Sequence, residues 1–221
     1  MRSLAKAFLS ALFLLPWHGI AHDARHRHHH HHLATDRHLE SGATNIHRCG
    51  TPSPNPALAK QFSQLVRDYT SLEESRRRLK KDFMAVVPVV YHIIQADNET
   101  QFISLEDIKK QHDALAAAFE GTGFLFTLDG TTRSVNSSWY FADFPSDHDT
   151  AMREALHVGG LETLNVYLTN GAGSLGIATL PDIVFLDNIE HDGIIIDEKT
   201  VPGVYEWEFN LGLTLVHEVG K

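Results

Sequence analysis

His217 and Glu218 stand side by side near the end of the run Gly212-Leu213-Thr214-Leu215-Val216-His217-Glu218-Val219-Gly220-Lys221. An imidazole followed by a carboxylate opens the pattern His-Glu-x-x-His, in which residues i and i+4 of a helix aim two imidazoles at one zinc ion and the Glu activates the metal-bound water. Here the i+4 place holds Lys221, and a protonated lysine has no lone pair to offer a metal. The dipeptide alone carries no weight, since sixteen histidines and thirteen glutamates in 221 positions make about one such pair by chance. By composition it is an ordinary surface pair on a helix. Two further features could do chemistry. Cys49, the single thiol, lies in Arg48-Cys49-Gly50-Thr51, and nine of the sixteen histidines fall within residues 22–47, five of them in the run His28–His32. Clustered imidazoles bind divalent metals, but without fixed geometry they follow the general affinity order rather than selecting one ion.

The elements that must position these groups belong to a chain of globular composition. With 43% hydrophobic and 21% charged residues, 15 Gly, 8 Pro and one Cys, it is neither a disordered nor a disulfide-built sequence. A formal charge of −9 gives no overall field for tracking phosphates, which argues against nucleic acid as a partner. Arg2 and Lys6 precede the apolar run Ala7–Leu15, and Gly19-Ile20-Ala21 supplies small residues, the layout of a secretory signal peptide cut after Ala21. Nine apolar residues ending at Pro16 are too few to span a bilayer, which takes roughly 20. The expected product is secreted, soluble and extracellular, with no membrane partner. Residues 22–47 hold almost nothing that could build a core and are expected to be disordered.

Thr51–Pro56 is a proline-rich joint, and residues 57–82 have helical spacing with Leu58, Phe62, Leu65, Tyr69 and Leu72 on one face. The basic run Arg76–Lys81 suits a helix C-terminus and is equally an exposed processing site in a secreted precursor. From Ala85 the texture changes. The β-branched stretch Ala85–Ile94 reads as a strand, Ser104 three residues before Asp107 caps a helix running to about Phe119, and Phe124–Asp129 is the next strand. A further strand-like segment reaches Val135, followed by a helix near His148–Val158 and strands at Leu164–Leu168, Gly176–Leu180 and Gly193–Ile196. The terminal run reads as a helix from Asn210 with Leu211 and Leu215 on one face. This order gives an α+β class with a twisted mixed sheet.

Several segments in one order resemble the secreted pappalysin-type metzincins, in particular the extracellular metalloproteases of fungi. They are Val87–Ile94, Ile108–Gln111 with Ala118-Phe119, Phe126–Asp129 with Arg133, Asn136 and Trp139, Met152–Gly160, Leu164–Tyr167, Leu175–Pro181, His191–Ile195 and Gly212–Gly220. Together they cover roughly residues 86–220. The resemblance implies a metzincin-like upper catalytic subdomain ending in an incomplete active-site helix, with one zinc ion in the complete family enzyme. It implies His217 as first zinc ligand and Glu218 as general base and acid. It also implies Gly176, Ile177, Ala178, Thr179 and Leu180 as the edge strand on which a peptide substrate lies by strand addition.

The second ligand should stand at 221, and the third histidine and the Met-turn should follow, so this chain is expected to be inactive as given. For Cys49 the resemblance implies a leader thiolate that caps zinc until the leader is cut off. A disulfide to a cysteine in a missing C-terminal part is the equal alternative. The expected organisation is a signal peptide at 1–21, a His-rich segment at 22–47, a leader at 48–84, and the N-terminal part of a metalloprotease catalytic domain at 85–221. The expected function is a secreted zinc-dependent metalloendopeptidase acting on protein or peptide substrates. The alternatives are a non-catalytic His-rich metal-binding protein and a truncated relic.

Overall fold

A computed structural model describes residues 47–53, 84–98, 102–180 and 188–221, together with helical positions between 56 and 68. The expected signal peptide at 1–21, the His-rich run up to residue 46, the basic run 76–81 and residues 181–187 lie outside the described residues. Among the described residues no helix is long and apolar enough to cross a membrane.

Strand β1, Ala85–Gln95, is the spine. Its β-branched residues suit a strand buried on both faces, and its odd and even positions go to different cores. Val87, Val89, Tyr91 and Ile93 join the larger apolar cluster, while Ile94 joins the smaller one on the opposite face. β1 pairs in parallel with β2 (Phe124–Val135) on one side and with β3 (Leu164–Thr169) on the other. Pro88, which has no amide hydrogen, is tolerated because pairing with β3 begins only at Val89. β5 (Ile194–Asp197) adds in parallel to β3, and the short β4 (Gly176–Ala178) closes the far edge in the antiparallel sense. The sheet order is β2-β1-β3-β5-β4.

On the larger core's side lies α1, Leu105–Ala118, opened by the expected capping box: Ser104 Oγ accepts from the Asp107 amide and Asp107 accepts from the Ser104 amide. It buries Ile108 and Leu115 against the sheet. The other face is covered by α2 (Ser137–Tyr140) and α3 (Asp147–Leu156), which bring Tyr140 and Met152 against Tyr167, Ile177 and Ile195. The terminal helix α4 spans Leu213–Val219. Central in β1, His92 is a satisfied core histidine. It stacks on Tyr167 at 4.9 Å, bonds Thr132 and Asn165 through its two ring nitrogens, and has its pKa lowered by burial.

The α+β class stands, with differences in detail. The two segments expected between Phe124 and Val135 are one strand, because a bulge lets Val89 pair with Leu128 and Val90 with Gly130, passing over Asp129. The helix expected at His148–Val158 begins one residue earlier, capped by Ser146, and ends at Leu156. The strand expected at Gly193–Ile196 is Ile194–Asp197. α4 begins at Leu213 rather than Asn210, so Leu211 does not share a helical face with Leu215: Leu211 is 64% exposed and Leu215 is buried. The cause is Gly212, whose φ of 74° puts a left-handed residue ahead of the helix.

Candidate functional site

Two glycines fix where α4 sits. A side chain at Gly212 would strain its left-handed backbone and bring a Cβ to 3.0 Å from the Ala114 Cβ of α1. The Gly212 carbonyl accepts from Gln111 Nε2 at 3.0 Å, tying the start of α4 to α1. On the other side α4 presses onto β4 at Gly176, where a Cβ would stand 2.8 Å from Glu218 Cγ and 2.9 Å from Thr214 Cγ2. Helical spacing then turns Leu215, Glu218 and Val219 inward and leaves His217 exposed. Glu218 has no solvent exposure, and its Oε1 has no hydrogen-bond partner among the described residues.

The free edge of β4 is occupied by the chain's own residues 47–51. The Leu175 amide donates to the His47 carbonyl at 3.1 Å and the Gly50 amide to the Gly176 carbonyl at 2.9 Å. Thr51 Oγ1 accepts from the Ala178 amide at 2.8 Å. Both numberings rise together, so residues 47–51 run as a strap in the same direction as β4. Gly50 lies so close that a Cβ would meet Ile177 Cγ1 at 2.6 Å and Ser174 Oγ at 2.7 Å. Thr51 Oγ1 also donates to Glu218 Oε2 at 2.9 Å, so one hydroxyl joins strap, edge strand and helix. Arg48 places its guanidinium over the Phe209 ring, 5.2 Å from the centroid.

This path brings Cys49 to α4. The Cys49 sulfur, a ring nitrogen of His217 and a carboxylate oxygen of Glu218 all lie within 4.8 Å of one another. Three donors of that chemistry are a metal ligand set in kind. Lys221 decides otherwise: its Nζ donates to Cys49 Sγ and stands 3.1 Å from Glu218 Oε2. A divalent ion among these donors would face the ammonium at contact range, where like charges repel by about 4 kcal/mol per unit charge at an effective dielectric of 20. Two of the three donors are already engaged by that cation. The residues as arranged do not fit a catalytic metal.

The other expected site residues divide. Gly176, Ile177 and Ala178 form β4 and are buried, whereas Thr179 and Leu180 lie beyond the strand, which is three residues long rather than five. The Thr179 amide still donates to the Gly193 carbonyl at 3.0 Å. Its hydroxyl accepts from Arg153, a guanidinium 1% exposed that also bonds Asp149 and the His191 carbonyl. Arg153 thus braces the end of β4 from the second core. Next to β4 in the sheet, β5 leads into Glu198, which accepts from the Tyr140 and Tyr205 hydroxyls at 2.8 and 3.0 Å. Burial raises the Glu198 pKa above its ordinary 4.5, and burial with the nearby Glu198 pushes Tyr205 up to about 12. Gly50 and Thr51 stand out in the sequence only as neighbours of Cys49 in a Cys-Gly-Thr element, and Arg153 carries no functional signal there. The Arg48–Thr51 tetrapeptide beside the lone cysteine was the available signal for the first two.

No protein-family model matches the chain. The extracellular metalloprotease of Verticillium alfalfae is 34% identical over 155 residues, covering 67% of this chain and 54% of that protein. The extracellular metalloprotease of Podospora anserina is 33% identical over 184 residues, covering 78% and 62%. A promirolysin mutant of Tannerella forsythia superposes with a TM-score of 0.51 at 20% identity, over 78% of this chain and 67% of that one, which speaks to the fold. The chain spans 54% to 62% of the length of the first curated relatives it matches. Its homologues are proteins named extracellular metalloproteases, and its fold is the one seen in promirolysin.

Proposed function

We propose that this chain is the leader-bound upper part of a secreted zinc metalloendopeptidase of the pappalysin type, built to hold a peptide along β4, and that the arrangement described is a latent one. The observation that carries the reading is the strap. Residues 47–51 fill the hydrogen-bonding edge of β4 and set the Thr51 hydroxyl on Glu218, the residue for which the family resemblance implies general-base chemistry. A carboxylate hydrogen-bonded by Thr51 and paired with Lys221 is not free to take a proton from water. His217, the implied first metal ligand, reaches the same point from the exposed side of α4. The residues present thus account for peptide positioning and for its blockade. The chain as it stands is expected to cleave nothing.

The experiment is a full-length Gly50→Val chain. Its side chain cannot fit over Ile177 and Ser174, so the strap should leave β4 and free the edge. A fluorescent, extended, unstructured peptide should then bind Gly50→Val and not the parent chain, with neither cleaving casein. Equal peptide binding by both chains, or casein cleavage by the parent, would overturn the reading.

A further inference from the structure

We propose that the Lys221 ammonium serves in this chain as a fixed cation in place of a metal ion, latching Cys49 of the strap to Glu218 of α4 so that the strap is held on β4 without any metal. The inference rests on the leader-bound reading above and adds what holds the leader down. Three observations converge on it. Lys221 Nζ donates to the Cys49 sulfur, 172 positions away in the chain, and pairs with Glu218 Oε2 at 3.1 Å. Glu218 is fully buried with, among the described residues, Thr51 and Lys221 on its carboxylate, and a buried carboxylate without a counter-ion is strongly disfavoured. Finally, Lys221 lies two residues beyond the end of α4, and its side chain, only 19% exposed, turns back onto the cluster to within 3.1 Å of Glu218 Oε2. Removing the ammonium therefore removes the bond to sulfur and leaves Glu218 uncompensated. Both losses weaken the strap.

The test uses the full chain. Cys49 is the only thiol, so its reaction with Ellman's reagent and its charge-transfer absorption with cobalt(II) report this site alone and are blind to the His-rich segment. The parent chain should react slowly, at the same rate with and without EDTA, and should give no thiolate–cobalt band. Lys221→Met should react at least about tenfold faster, the factor that one charge-assisted hydrogen bond is worth, while Lys221→Arg stays slow. Acceleration of the parent by EDTA, or a full thiolate–cobalt band in the parent, overturns the metal-free latch and leaves the strap reading intact. A parent thiol reacting as fast as a free cysteine in an unfolded peptide overturns both. The EDTA and cobalt arms need no variant, so they decide even if Lys221→Met does not fold.

Discussion

The two edges of the sheet are built in opposite ways. At one edge, β2 runs twelve residues alongside β1 and pairs with all eleven residues of β1, and its Leu125 and Leu128, on opposite faces, remain 45% and 43% exposed. At the other, β4 is three residues long, fully buried, and continued sideways by a strap that is itself non-regular backbone. The first edge is secured by a long backbone ladder over an apolar core. The second has a three-residue ladder to β5 and two backbone bonds to the strap, and leans besides on a handful of polar side-chain contacts: Thr51 to Ala178 and Glu218, Lys221 to Cys49 and Glu218, Arg153 to Thr179. An apolar core is tolerant in detail and costly to hollow out. A polar corner is cheap to open and sensitive to each atom.

Substitutions should sort by region. Leu168→Ala empties a fully buried position in β3 and should cost about 2–5 kcal/mol, seen as a large drop in the urea midpoint of the whole domain. Arg153→Met comes next, because it strands Asp149, 4% exposed, without its cation. The loss should be about 3 kcal/mol, and the end of β4 at Thr179 should exchange amide hydrogens faster than β1. An Arg153→Met chain with an undisturbed melting curve would show that the corner does not lean on the second core. Thr51→Val removes two hydrogen bonds, one of them to a carboxylate, and should shift the strap equilibrium by about 1.5–3 kcal/mol while moving global unfolding little. Faster Cys49 modification at constant urea midpoint is the expected pair of readings.

The smallest effect concerns pH. Burial raises the Glu198 pKa, so the folded state keeps that proton over a range in which the unfolded chain has lost it. Stability from this group is full below the ordinary 4.5 and is lost as pH rises through the raised folded value. Glu198→Gln should therefore flatten the decline of the urea midpoint from about pH 4.5 towards neutrality, its amide oxygen still accepting from Tyr140 and Tyr205. A steeper decline in the variant would contradict the sign.

How far the sequence disclosed this molecule follows the same division. The β-branched run along Ala85–Ile94 and the Ser104–Asp107 pair are short-range patterns, and the strand and the capping box are where those patterns put them. Errors came where one residue's backbone overrode an apolar rhythm. Leu211 keeps a four-residue spacing to Leu215, but Gly212 adopts a left-handed conformation between them. Asp129-Gly130 has the look of a turn, yet the strand passes through it as a bulge. The corner was least legible. Thr51 meets Glu218 across 167 positions and Cys49 meets Lys221 across 172, and contacts that distant leave no periodic trace. In the sequence Lys221 is simply the wrong residue for a metal ligand, and nothing local reveals a sulfur and a buried carboxylate converging on its ammonium.

Amide hydrogen exchange resolved at Gly50, Leu175 and Ala178 tests the strap most directly, since each of these three N–H groups is bonded across the strap–β4 boundary. All three should be protected in the parent chain and should lose protection together in Gly50→Val, with β1 unchanged. A Gly50 amide that exchanges as freely as an unfolded peptide while Leu175 and Ala178 stay protected would mean that the strap does not lie on that edge.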